Sequence, residues 1–97
     1  MNISRPVLLE QLAEEACELG QAALKLARKI RGESPTPKTE EELIESMTEE
    51  IADVEVCVDQ LTDLIDFCQV ESIKEFKYQR WIKRLEDDDK AKSKQEP

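Results

Sequence analysis

Four acidic residues form the most chemically suggestive pattern in the chain. Glu15 and Glu18 lie three apart in LAEEACEL, and Glu50 and Asp53 lie three apart in EEIADVEV. Residues three apart share one side of an α-helix, so each pair presents two carboxylates together. Acids crowded at the edge of a core repel one another and lose hydration. A divalent cation between them removes both penalties. Four carboxylates without a nitrogen or sulfur partner suit a hard ion, so Glu15, Glu18, Glu50 and Asp53 are expected to hold Mg²⁺, with Mn²⁺ as the alternative. Such a site is suited to chemistry at phosphorus, which needs charge neutralisation and a positioned water more than a covalent nucleophile.

Composition narrows the remaining classes. The chain has no histidine, which excludes a Ser–His or Cys–His nucleophile and any histidine metal site. Its three cysteines, Cys17, Cys57 and Cys68, form no CxxC pair. They are expected to be reduced thiols in a cytoplasmic protein, with Cys57 and Cys68 as small core residues. The net charge is −9. Residues 1–70 carry 6 basic and 16 acidic side chains, and residues 71–97 carry 8 and 7. An acidic body of this kind argues against nonspecific binding to nucleic acid or to an anionic membrane. No apolar run is long enough to span a bilayer, and no signal peptide is read.

The acids must be positioned by helices. Only two glycines and 4% aromatics among 97 residues, with long heptad-like runs, imply an all-α chain of three to four helices. Leu9, Leu12, Ala16, Leu19, Ala23, Leu26 and Ile30 follow alternating steps of three and four, with Leu9 at heptad position a. Ile44, Met47, Ile51, Val54, Val58, Leu61, Ile65 and Cys68 repeat the pattern, with Ile44 at a. In both frames the first acid of the pair falls at g and the second at c, on the same shoulder of the expected a/d stripe. Leu43, Cys57 and Leu64 are the other g residues of the second run, so Glu50 interrupts an apolar column. Ala13, Gly20 and Ala27 at e form a column of small residues that would admit a close helix. Two amphipathic helices in so small a chain favour burial against another copy, in a homodimer or homotetramer.

Local signals set the expected boundaries. Residues 1–4 are a lead in which Ser4 caps a helix with Pro6 in its first turn, and that helix ends at Gly32. Residues 32–38 form a loop, because two prolines and a glycine forbid helix there. Thr39 with Glu42 makes a capping box opening a helix that reaches Cys68, unless it breaks near Met47. Ser72 with Glu75 reads as a second box, opening a shorter helix to about Leu85. The expected domain spans residues 1–86, followed by a disordered charged tail at 87–97. Lys77, Arg80 and Arg84 form one basic face, a candidate phosphate clamp. Gln11 and Lys25 lie in the column of Glu18, where Gln11 is placed to meet a nucleobase edge and Lys25 a phosphate.

With these residues assembled, the chain resembles the MazG-like nucleotide pyrophosphohydrolases, a group within the all-α NTP pyrophosphohydrolase superfamily. The signature of that group is ExxE followed by ExxD, here Glu15-Ala16-Cys17-Glu18 and Glu50-Ile51-Ala52-Asp53. EEACELGQAALKLAR, EEIADVEVCVDQL and the basic EFKYQRWIKRL look like its helices, and the similarity spans roughly residues 8 to 85. The resemblance implies Mg²⁺-dependent cleavage between the α and β phosphorus atoms of an NTP or dNTP, giving monophosphate and pyrophosphate. It places Glu15, Glu18, Glu50 and Asp53 at the metal and the basic residues of the last helix on the phosphates. EEACE is also close to the pattern of phosphoribosyl-ATP pyrophosphohydrolase. The alternative from another class is a non-catalytic helical module that oligomerises or binds nucleotide without turnover.

Overall fold

The computed structural model describes residues 3–33 and 36–95. The first two residues of the expected lead, Ser34 and Pro35 of the loop, and residues 96–97 of the tail lie outside the described residues. Among the described residues all regular structure is helical: α1 (Arg5–Ile30), α2 (Glu40–Asp59) and α3 (Phe67–Gln95). The chain divides into two compact units, residues 1–61 with α1 and α2, and residues 62–97 with α3.

The first unit is a helical hairpin, and its turn is specified locally. Ser4 occupies the N-cap position of α1 with Pro6 in the first turn, although its side chain makes no capping bond. At the other end the Gly32 amide donates to the Lys29 carbonyl and the Glu33 amide to the Arg28 carbonyl, at 3.0 and 2.9 Å. These two bonds satisfy the last carbonyls of α1 and require a left-handed residue between them. Gly32 supplies it, with φ 73°. The Lys29 ammonium reaches the Thr36 carbonyl at 3.4 Å and ties the loop to α1. Thr39 then opens α2 with a complete capping box: its Oγ1 accepts from the Glu42 amide, and Glu42 Oε1 accepts from the Thr39 amide.

Helix α2 is unbroken at Met47. The Thr48 hydroxyl, next in the chain, donates back to the Ile44 carbonyl at 2.8 Å inside the same helix. The helix also stops earlier than its apolar periodicity implied, at Asp59 rather than Cys68. A separate start signal follows at Asp66. Asp66 Oδ1 accepts from the amides of Cys68 and Gln69 and so caps α3. Ser72, read from sequence as the cap, lies within α3 and donates to the Cys68 carbonyl. Helix α3 runs on through Gln95, over most of the stretch whose composition reads as a disordered tail. That stretch has no glycine or proline before Pro97, and Glu86 and Asp88 each precede a lysine by four residues, the favourable order on a helix.

The seam of the hairpin is rotated from the expected a/d stripe. The buried apolar residues are Leu43, Cys57 and Leu61, two at g and one at d. The a residues Leu9, Ile30, Ile44 and Ile51 are 40–61% exposed. Centring the seam on g and d instead of a and d turns each helix by about 60°. Cys68, expected in the core, is exposed.

Candidate metal centre

The rotation brings the acids inward. Position g becomes the middle of the α1–α2 contact, with apolar d on one side and polar c on the other. Glu15 and Glu50 are the g residues at mid-helix, and both are half-buried. Glu50 stands one heptad from Leu43 and one from Cys57, the two most enclosed residues of its column. Asp53, at c, is exposed and one turn further along.

Carboxylate oxygens of Glu15, Glu50 and Asp53 all lie within 4.8 Å of one another. Two of the acids contribute an oxygen, Glu15 Oε2 and Glu50 Oε2, that is buried and accepts no hydrogen bond. Buried acceptors without donors are rare in folded proteins because each forfeits its hydration uncompensated. The other Glu15 oxygen accepts from Gln11 Nε2 at 2.9 Å. No lysine or arginine pairs with these acids among the described residues. Three converging carboxylates without a counter-ion among the described residues, two of them with a buried oxygen that nothing satisfies, fit a small hard cation, and the oxygen-only donor set fits Mg²⁺ or Mn²⁺.

The local field follows from this packing. Lost hydration raises the Glu15 pKa above its ordinary 4.5, the Gln11 hydrogen bond opposes the shift, and the charges of Glu18 and Asp53 add to it. Burial, then Glu15 and Asp53, push the Cys57 thiol up.

A carboxyl whose folded pKa exceeds its unfolded one stabilises the fold most when protonated. Without metal, stability is expected to fall as pH rises from the unfolded value, near 4.5, through the raised folded value. Urea midpoints measured with chelator from acid to neutral pH check this. Glu15→Gln should flatten the fall, and parallel curves for the two proteins would assign the titration to another group.

Glu18 is not one of the three converging acids, but its carboxyl faces Glu15 closely enough to raise the Glu15 pKa by charge and by hydrogen bonding, and it lines a groove of about 420 Å³ shared with Glu50 and Lys25. Gln11, read as a base contact, gives its amide to Glu15. Lys77, Arg80 and Arg84 come together on α3, with Trp81, around a hollow of about 250 Å³ in the second unit. The Arg80 guanidinium also lies 5.9 Å from the centre of the Phe76 ring.

Sequence reasoning missed Lys38, Gln21 and Ser46, which line the same groove as Lys25. Their signal was angular. Once the seam is centred on g, Ser46 at c and Gln21 at f fall on its polar side, whereas the a/d frame turns both toward solvent. Lys38 carries no helical phase at all, since it precedes the capping box.

The three cysteines are free. Among the described residues no helix is long and apolar enough to cross a membrane. No family model, characterised protein or solved structure matches the chain.

Proposed function

We propose that the chain is an Mg²⁺-dependent nucleoside triphosphate pyrophosphohydrolase that cleaves the α–β phosphoanhydride of an NTP or dNTP. The observation that carries the reading is the triad of Glu15, Glu50 and Asp53, with two buried carboxylate oxygens that nothing in the hairpin satisfies. The ExxE and ExxD spacing agrees with it.

Glu15, Glu50 and Asp53 would hold the ion, with Glu18 adding negative charge at its edge. Bound there, Mg²⁺ supplies positive charge to the phosphate oxygens and makes water more acidic. Water adds to the α-phosphorus and the bond from that phosphorus to the bridging oxygen breaks. The electron pair leaves with pyrophosphate, and the water proton passes to a carboxylate and then to solvent. Glu15, whose carboxyl is held in place by Gln11, is the carboxylate assigned as acceptor. Gln11 fixes the orientation of Glu15 by holding one of its oxygens.

The working unit is a homodimer or homotetramer. In the hairpin Leu9, Leu24, Ile30, Ile44, Ile51 and Val56 are 40–61% exposed, against three buried apolar residues in the whole described chain. An apolar surface so large relative to the core marks an interaction face. A Cβ built on Gly20 would meet nothing within 4 Å, so the small-residue column is open to a neighbouring helix. Sedimentation equilibrium should return a multiple of 11.2 kDa, and the monomer mass at micromolar concentration would remove the assembly.

The activity is tested by measuring pyrophosphate release from a panel of NTPs and dNTPs with Mg²⁺. Release of pyrophosphate with the matching monophosphate is expected from at least one of them. Orthophosphate as the product, or no turnover across the panel, would reject the reading.

A further inference from the structure

The groove beside the triad has two electrical poles. Glu18 and Glu50 form one end, and Lys25 and Lys38 the other. Lys25 lies seven residues beyond Glu18, about 10 Å along α1. Side chains on a helix lean toward its N-terminus, so Lys25 leans back toward the acids. Lys38 comes from the opposite wall. Its backbone is held, since its amide donates to Thr36 Oγ1 at 3.4 Å and the next residue is the capping threonine.

Neither lysine is ion-paired among the described residues, in a chain with 23 acids to 14 basic residues. Both ammonium groups line one cavity without an ion-pair partner, so an anion entering it meets two charged donors that no carboxylate has claimed. The shape of the anion follows from the other pole. Glu50 belongs both to this groove and to the triad, so a ligand that reaches from the lysines to an ion held by the triad needs negative charge at both ends. A short polyphosphate chain has it. The hairpin itself contains no Phe, Tyr or Trp, so nothing within this unit can stack on an aromatic base. The Ser46 hydroxyl already donates to the Glu42 carbonyl at 3.1 Å, which leaves the two lysines and the Gln21 amide as donors.

We propose that this groove is a polyphosphate-reading site, in which Lys25 and Lys38 hold the phosphates distal to the metal. The assignment rests on the pyrophosphohydrolase reading for the role of the metal pole, and adds to it the direction in which the substrate lies. The leaving pyrophosphate, which carries more negative charge than the α-phosphate, sits at the lysine end. Recognition in the hairpin then depends on the phosphate chain and not on the base.

The test is calorimetric titration of the full chain, with Mg²⁺, against inorganic tripolyphosphate and against an α,β-methylene nucleoside triphosphate, which resists hydrolysis. Both lysines are exposed, so Lys25→Ala/Lys38→Ala should fold, as circular dichroism will verify. The double variant is expected to lose at least about tenfold in affinity for both probes, and Lys25→Arg/Lys38→Arg to recover most of it. Unchanged affinity for tripolyphosphate overturns the proposal. A loss confined to the nucleotide probe overturns it too, since the contact would then be with sugar or base. The two readings fail separately. If no nucleotide is turned over but lysine-dependent tripolyphosphate binding persists, the groove stands and the activity falls. If pyrophosphate is released with the same KM by wild type and double variant, the activity stands and the groove falls.

Discussion

Glu50→Gln is expected to lower pyrophosphate release by roughly 10²–10³-fold, the loss typical when one preorganised electrostatic contact at a reacting group is removed. In the same variant the metal-free protein should melt at a higher temperature than wild type. Both effects come from where the side chain sits. Glu50 occupies the apolar column between Leu43 and Cys57, and its Oε2 is buried without a partner. A carboxylate there has surrendered hydration and faces Glu15 and Asp53 within 4.8 Å. Glutamine keeps the shape, removes the charge and offers its amide to the unsatisfied Glu15 oxygen. Gain in stability joined to loss of activity is the signature of a residue whose strain serves function. Activity and melting temperature both equal to wild type would place Glu50 outside any centre. A melting temperature below wild type would mean that the carboxylate is a structural acceptor whose partner is another part of the assembly.

Mg²⁺ is expected to raise the melting temperature of the wild-type chain by roughly 10–20 °C at a concentration 100 times its dissociation constant. A ligand that binds only the folded state contributes about 2.7 kcal/mol at that excess, and a domain of this size gains about 4–8 °C per kcal/mol. The shift should vanish in the variant carrying Glu15→Gln, Glu50→Gln and Asp53→Asn. It should survive largely intact in Glu18→Gln, because Glu18 lies outside the set of converging oxygens. Differential scanning fluorimetry at matched ionic strength decides this. With a net charge of −9 any salt screens self-repulsion, so NaCl of equal ionic strength is the reference. A shift that NaCl reproduces would be screening alone. An equal loss in Glu18→Gln and in the triple variant would enlarge the centre to four ligands.

The amino-acid sequence by itself determined where the α1–α2 turn lies and which acids share a helix face. Helix starts and stops carry their own hydrogen-bonding groups, so Thr39 with Glu42 and Gly32 after α1 could be read directly. Where two start signals competed, as Asp66 and Ser72 did, residue type could not rank them, because either can cap and only one lies where the preceding turn ends. The spacing of Glu15, Glu18, Glu50 and Asp53 and the lack of histidine likewise defined an oxygen-only donor set without coordinates. Tertiary structure decided the rotation of each helix about its axis. A heptad records which residues are apolar, but a stripe spanning g, d and a can bury either of its edges. In this hairpin g and d are turned inward. That choice places Glu15 and Glu50 within the seam, leaves Glu18 on the groove wall, and gathers Lys25 and Lys38 from different elements at one end of it. It also leaves the a residues uncovered, which no single helix could reveal, since exposure is a property of what the neighbouring elements fail to cover.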